Sequence, residues 1–253
     1  MSRRATRLLV RALLLAGLSA LLWFVLSRIR YHWDWGAVYA YREIFLEGFG
    51  MTVVLSVGAI FFGLLFGLAS GLASVSDSVF CSELAGLYVG AFRGTPLLVQ
   101  ILIFYFCIGV VIHVDSPYII GTASLAFFSG AYISEMVRAG VESIDTGQWE
   151  AALSTGMTRR QTMFHVIFPQ AMRRIVPPVT GQFVSCIKDS SLLSVISVRE
   201  LTKAAEVVNS TTYRTFEAYL PLALLYLLLT WPLSYLTGRL EKGIRNGTAR
   251  MPR

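Results

Sequence analysis

Lys188 and Asp189 stand side by side inside an apolar stretch, with Ser190 and Ser191 directly after them. An amine, a carboxylate and two hydroxyls within four residues can do chemistry. A Ser–Lys pair serves some hydrolases as nucleophile and base. Here the Lys is only two or three residues from either Ser along one helix, which places the pair poorly for that step. The amine and the carboxylate suit a different task. A Lys and an Asp at one depth can answer an anionic and a cationic group on one polar solute. Adjacent helical residues point about 100° apart and do not face each other. The same side chains therefore also fit pairing with other helices.

Glu135 and Arg138 are three apart, on one face of a helix, and read as an internal ion pair. Arg93 precedes Gly94-Thr95-Pro96 at a helix start. Its long stem either snorkels to an interface or brings the guanidinium to a carboxylate. Inside a bilayer each such charge costs ~2.5–3.5 kcal/mol on insertion scales, so each needs a reason to be there. Lys188, Asp189, Arg93 and Glu135 are thus the candidates to line a path for a polar solute. His113 and His165 are isolated and suggest no metal. Cys81, Cys107 and Cys186 form no C-x-x-C pair and read as small buried hydrophobes. No G-x-x-x-x-G-K-[ST] occurs, so the chain has no nucleotide site of this kind.

The elements that hold these residues are apolar helices. Of 253 residues 55% are hydrophobic and only 15% are charged, against about 25% in soluble domains. The apolar residues come in blocks: 51–75 carries no charge and 8–27 only Arg11. About 20 apolar residues span a hydrocarbon core of about 30 Å. Six spans are expected, at about 8–27, 50–75, 94–113, 119–140, 175–197 and 217–238. The first resembles a secretory signal in its basic start, but it is too long and lacks a cleavage pattern, so it reads as an uncleaved span. Gly63, Gly67 and Gly71 recur every four residues, a spacing for close helix contact within the subunit or across a dimer.

The net charge of +7 is spread between the apolar blocks rather than gathered in one stripe, which argues against nucleic acid as a partner. Placing both termini in the cytoplasm puts fifteen Lys and Arg on that side and six on the other. Residues 142–174 then lie in the cytoplasm. This segment is too polar to span and too patterned for a loose loop. Asp145 with Gln148, and Thr158 with Gln161, have the spacing of capping boxes. Gly156 suits the left-handed end of the first helix. Pro169 limits the second, having no N–H to donate. Such an amphipathic knob fits the lipid interface, a groove on a cytoplasmic partner, or an ordinary structured loop.

Glu150-Ala151-Ala152, then Gly156, then Ile167-Phe168-Pro169 resemble the EAA motif of bacterial ABC importer permeases, with Phe168 where that pattern usually has Leu. The segments 92–100 (FRGTPLLVQ), 130–140 (GAYISEMVRAG), 188–192 (KDSSL) and 215–220 (TFEAYL) resemble the polar amino acid branch of that family. Together the matches run in order from about residue 46 to 244. The resemblance implies an all-α polytopic membrane protein with a five-span permease core at 46–244. An extra first span lies within 1–45, and 245–253 form a cytoplasmic tail. It also implies that Glu150, Ala151, Ala152, Gly156 and Pro169 form the helix that docks in a cleft of an ATP-binding cassette ATPase. The implied partners are that ATPase, a second permease that is identical or homologous, an extracytoplasmic solute-binding protein and the lipid bilayer. No cofactor is expected on this chain; ATP and Mg belong to the ATPase. The implied location is the bacterial inner membrane. An ion-coupled secondary transporter is the alternative, though the chain shows no clear internal repeat of the kind many such proteins have.

Overall fold

The structure is a computed structural model that describes residues 3–28 and 31–248, with no side-chain placement for residues 240–248 and several residues of the first helix. Among the described residues there are helices and no strands. The chain divides into two compact units, residues 1–36 and 37–253. The first contains α1 (Arg3–Arg28), which covers the expected first span. A single turn, α2 (Trp35–Tyr39), lies at the division.

The second unit is built on α3 (Arg42–Ser74) and, later in the chain, α6 (Pro117–Glu142). Between them come α4 (Val79–Arg93) and α5 (Leu97–Ile103), the latter running on as a π-helical turn at Phe104–Gly109. The polar segment after α6 forms α7 (Thr146–Ser154) and α8 (Arg159–Thr162), followed by a π-helical turn at Met163–Ile167. Next come α9 (Phe168–Asp189), a 3-10 stretch at Ser190–Ile196, α10 (Leu201–Thr212) and α11 (Thr215–Thr248). Residues 249–253 of the expected tail, and Arg30 of the charge count, lie outside the described residues.

The glycine stripe of α3 faces α6 inside the subunit. A Cβ on Gly67 would stand 2.6 Å from Ile133 Cβ, and one on Gly71 would stand 2.6 Å from Val137 Cβ and 2.8 Å from the Ser134 carbonyl. A Cβ on Gly63 would run into the Ser129 hydroxyl. The backbones approach this closely because nothing stands between them. Of the two readings of the stripe, packing within the subunit is the correct one.

Two expected spans need correction. The third, placed at 94–113, is the second limb of a longer broken element: α4 and α5 with its π turn meet at 104°. Thr95 precedes a proline and is pushed out of the helical region, and Pro96 has no N–H to continue the ladder. α4 itself was not expected. Its outer face carries exposed Phe80, Leu84 and Leu87, while Ser76, Asp77 and Ser78 before it read as a loop.

The fifth, placed at 175–197, begins earlier and ends earlier. Pro169 does not stop the second helix of the polar segment; it lies in the first turn of α9, and helix is continuous from Arg159 to Asp189. The π turn explains this. The Phe168 N–H reaches back five residues to the Met163 carbonyl, so the ladder has already widened where the proline lacks its donor. Lys188 and Asp189 consequently sit in the last turn of α9, where a lysine complements the helix C-terminus.

Among the described residues, α3 and the Thr215–Arg239 part of α11 are long and apolar enough by themselves to cross a membrane, and the bent pair reaches that length and apolarity only with its two limbs together. α6 and α9 are long enough, but they spend positions on Ser, Gly, Pro and charged residues. The cysteines also differ from expectation: Cys186 is buried, Cys81 is half-buried and Cys107 is exposed.

Candidate functional site

The segment expected in the cytoplasm is a helix, a glycine turn and a helix. The Asp145 carboxylate caps α7 by accepting from the Gly147 N–H at 2.7 Å. The expected return bond from Gln148 is absent; its Oε1 accepts from Gln170 Nε2 at 3.1 Å instead. The second box forms in full. Thr158 Oγ1 receives the Gln161 N–H, and Gln161 Oε1 receives the Thr158 N–H at 2.8 Å. Gly156 has φ +87°, which an L side chain rarely adopts.

The element is held on several sides. Ile144, Ile167, Ala171 and Ile175 join Ile133, Val137 and Val141 of α6 in one buried cluster. The Arg159 guanidinium pairs with Asp77 of the α3–α4 turn, and Arg174 donates to the Ser143 carbonyl. Glu150, Ala151, Gly156 and Pro169 face outward, while Ala152 is turned into the body at 7% exposure. A cleft of about 780 Å³ lies beside α7, lined by Leu72, Trp149, Glu150, Arg160, Met163 and Glu142 among others.

A chain of charges starts at this cleft. Arg138 donates through Nη1 to Glu142 Oε2 at 2.5 Å, and through Nη2 and Nε to the two oxygens of Glu135 at 2.6 and 2.9 Å. Arg93 Nη1 lies 3.5 Å from Glu135 Oε1, with the guanidinium over the Tyr132 ring at 5.4 Å from its centre. The Glu135–Arg138 pair is as expected, and for Arg93 the carboxylate is the alternative found.

Sequence reasoning missed Gln100. Its Nε2 donates to the carbonyls of Phe92 and Thr95 at 2.7 and 3.1 Å and to Thr95 Oγ1 at 2.8 Å. The bend strips these carbonyls of helical partners, and one amide replaces them across it. Gln100 Oε1 is buried without a partner. The signal was present: a glutamine four residues after a proline in an apolar run has no lipid-facing use.

Glu200 was also missed. It is fully buried and caps α10, accepting from the Thr202 and Lys203 N–H groups at 2.8 Å each and from the Tyr226 hydroxyl at 2.9 Å. Thr52 of α3 takes the Leu201 N–H at 3.1 Å. Lys188 and Asp189, by contrast, make no ion pair or side-chain hydrogen bond among the described residues, and Lys188 is exposed. The structure therefore brings Arg93 and Glu135 together and leaves Lys188 and Asp189 as a separate pair.

Among the described residues, an all-helical body with long apolar helices, a bent helix pair and a braced helix–turn–helix element fits a membrane protein. Residues 59–246 match the family described as binding-protein-dependent transport system inner membrane component, and the chain belongs to that family. It is 34% identical over 215 residues to the glutamine transport system permease protein GlnP of Escherichia coli K12, covering 84% of this chain and 98% of that one. It is 37% identical over 205 residues to the probable glutamine ABC transporter permease protein GlnM of Bacillus subtilis, covering 79% and 94%. Among solved structures it resembles an amino acid ABC transporter crystallised with histidines, with a TM-score of 0.77 and 36% identity over 84% of this chain and 99% of that chain. It shares the fold of the MetNI methionine ABC transporter in inward-facing form, with a TM-score of 0.70 and 17% identity over 79% and 96%.

Proposed function

We propose that this chain is the permease subunit of an ATP-driven importer for polar amino acids, and that the α7–α8 element is where its ATPase docks. The observation that carries the reading is the build of that element. It is braced against α6, α9 and the α3–α4 turn, yet presents Glu150, Ala151 and the Gly156 turn outward. A braced element transmits force, and small side chains let a partner approach closely. Glu150 adds an exposed anion in the middle of α7, available to a cation on the partner.

The ATP and Mg sit on the partner ATPase, two copies of which serve two permeases, identical or homologous. A solute-binding protein delivers substrate outside. Both termini are cytoplasmic in this arrangement, consistent with the bias of Lys and Arg between the spans. The permease core runs over 46–244, with the first span an addition to it. Lys188 and Asp189 face the translocation path. Unpaired charges at span depth are held where water or a second subunit covers them, and this pair matches the two charged ends of an amino acid. Arg93 and Glu135, bonded to each other, border the same path and hold the bend beside it. The names of the relatives make glutamine the first substrate to try.

The test is uptake of labelled glutamine and other polar amino acids into proteoliposomes holding permease, ATPase and binding protein. The reading requires uptake that depends on ATP on the ATPase side. Uptake driven by an ion gradient with no ATPase present contradicts it.

A further inference from the structure

We propose that Arg138 is a positioning residue that couples the docking element to the bend between α4 and α5; this rests on the docking reading above. The bend is held by two devices. Gln100 spans it from within, bonded only to backbone and side chain of its own limbs. Arg93, at its apex, is instead tied outward to Glu135 of α6. Glu135 is shared, since its Oε1 receives both Arg93 and Arg138. Arg138 is shared in turn, since its third contact is Glu142 at the end of α6. Glu142 lines the same cleft as Trp149, Glu150, Arg159 and Arg160 of the docking element.

Two cations and two anions thus alternate from the cleft to the bend with no net charge. A displacement of α7 or α8 that draws Glu142, or offers it another cation, loosens its hold on Arg138. Arg138 then closes more fully on Glu135, and Glu135 weakens on Arg93, the longest contact of the chain. The members are about one-third to one-half exposed. Such pairs exchange partners readily because solvent screens them. The apolar cluster Val141, Ile144, Ile167 and Ala171 fixes the element to α6 by another route. Arg138 therefore serves the bend, whereas that cluster holds the element in place.

The experiment uses the full complex in proteoliposomes and reads three quantities: co-purified ATPase, basal ATP hydrolysis, and its stimulation by loaded binding protein. R138Q keeps the ATPase bound and basal hydrolysis at the wild-type rate, but stimulation falls about tenfold, within the range usual for coupling between sites. E142Q, at the exposed end, shows the same defect in smaller measure. The R93Q/R138Q double variant loses no more than the worse single variant, because both act through Glu135. Full stimulation in R138Q, additive losses in the double variant, or loss of the ATPase from R138Q each overturns the proposal. The docking reading is judged separately: if E150K retains ATPase and stimulation, that reading fails whatever R138Q does.

Discussion

Arg93, at the end of α4, and Glu135, on α6, meet at 3.5 Å, the guanidinium lying over Tyr132. The pair explains why an arginine precedes Gly94-Thr95-Pro96. The proline breaks the helix, Gln100 replaces the lost backbone partners, and Arg93 fastens the apex to α6. Each residue of the segment has a mechanical part in one bend.

Gln100→Leu keeps the volume but removes three hydrogen bonds across that bend. The Phe92 and Thr95 carbonyls are only partly buried in these bonds, so each lost bond costs about 0.5–1.5 kcal/mol net. We predict a lower maximal uptake rate with the apparent affinity for substrate little changed, measured as uptake against substrate concentration. A change in affinity alone would place Gln100 at the substrate instead.

Gly67→Ala tests the packing of α3 on α6. The new methyl would stand 2.6 Å from Ile133 Cβ and 2.9 Å from the Gly130 carbonyl. Overpacking of this kind costs about 1–3 kcal/mol, so the melting temperature of the purified protein in detergent should fall. Gly86→Ala, where a Cβ meets nothing within 4 Å, is the control and should not lower it.

Glu200→Ala removes a buried cap, strands the Thr202 and Lys203 N–H groups, and leaves the Tyr226 hydroxyl with Thr202 Oγ1 alone. The loss should reach several kcal/mol by the same accounting. Tyr226→Phe removes the hydrogen bond to the Glu200 carboxylate, worth about 1.5–3 kcal/mol, and the weaker one shared with the Thr202 hydroxyl. Thermal unfolding of both variants should rank Glu200→Ala below Tyr226→Phe. The reverse order would show that Glu200 is held by something other than these bonds.

Lys188→Met and Asp189→Asn remove one charge each from the pair assigned to the path. Each should raise the substrate concentration for half-maximal uptake, while ATPase co-purification stays intact. If neither variant alters substrate dependence, the two residues do not face the path.

Much of this architecture was legible because apolar blocks and turn chemistry are local signals. The glycine at 156 and the box at Thr158 and Gln161 depend on neighbours in sequence, and both form as expected. Signals that depend on distant residues were not readable. α10 is polar enough to pass for a loop until Glu200, Thr52 and Tyr226 satisfy its first turn. Pro169 looked like a stop because nothing local reveals a π turn that makes room for it. Gln148 had the right spacing for a capping box, but Gln170 from the next helix took its carbonyl oxygen. Arg93 had two outcomes in sequence, and only the return of α6 past the bend selected the carboxylate.

In the proposed function the α7–α8 element passes the work of ATP hydrolysis to the permease. Glu150→Lys tests it most directly, in proteoliposomes containing the whole complex, with ATP hydrolysis and amino acid uptake measured on one preparation. Glu150 is exposed, so the fold should survive the change. The account predicts that the variant inserts in the membrane, that hydrolysis no longer drives uptake, and that uptake falls to the level seen without ATP. Uptake and hydrolysis both at wild-type rates would contradict it.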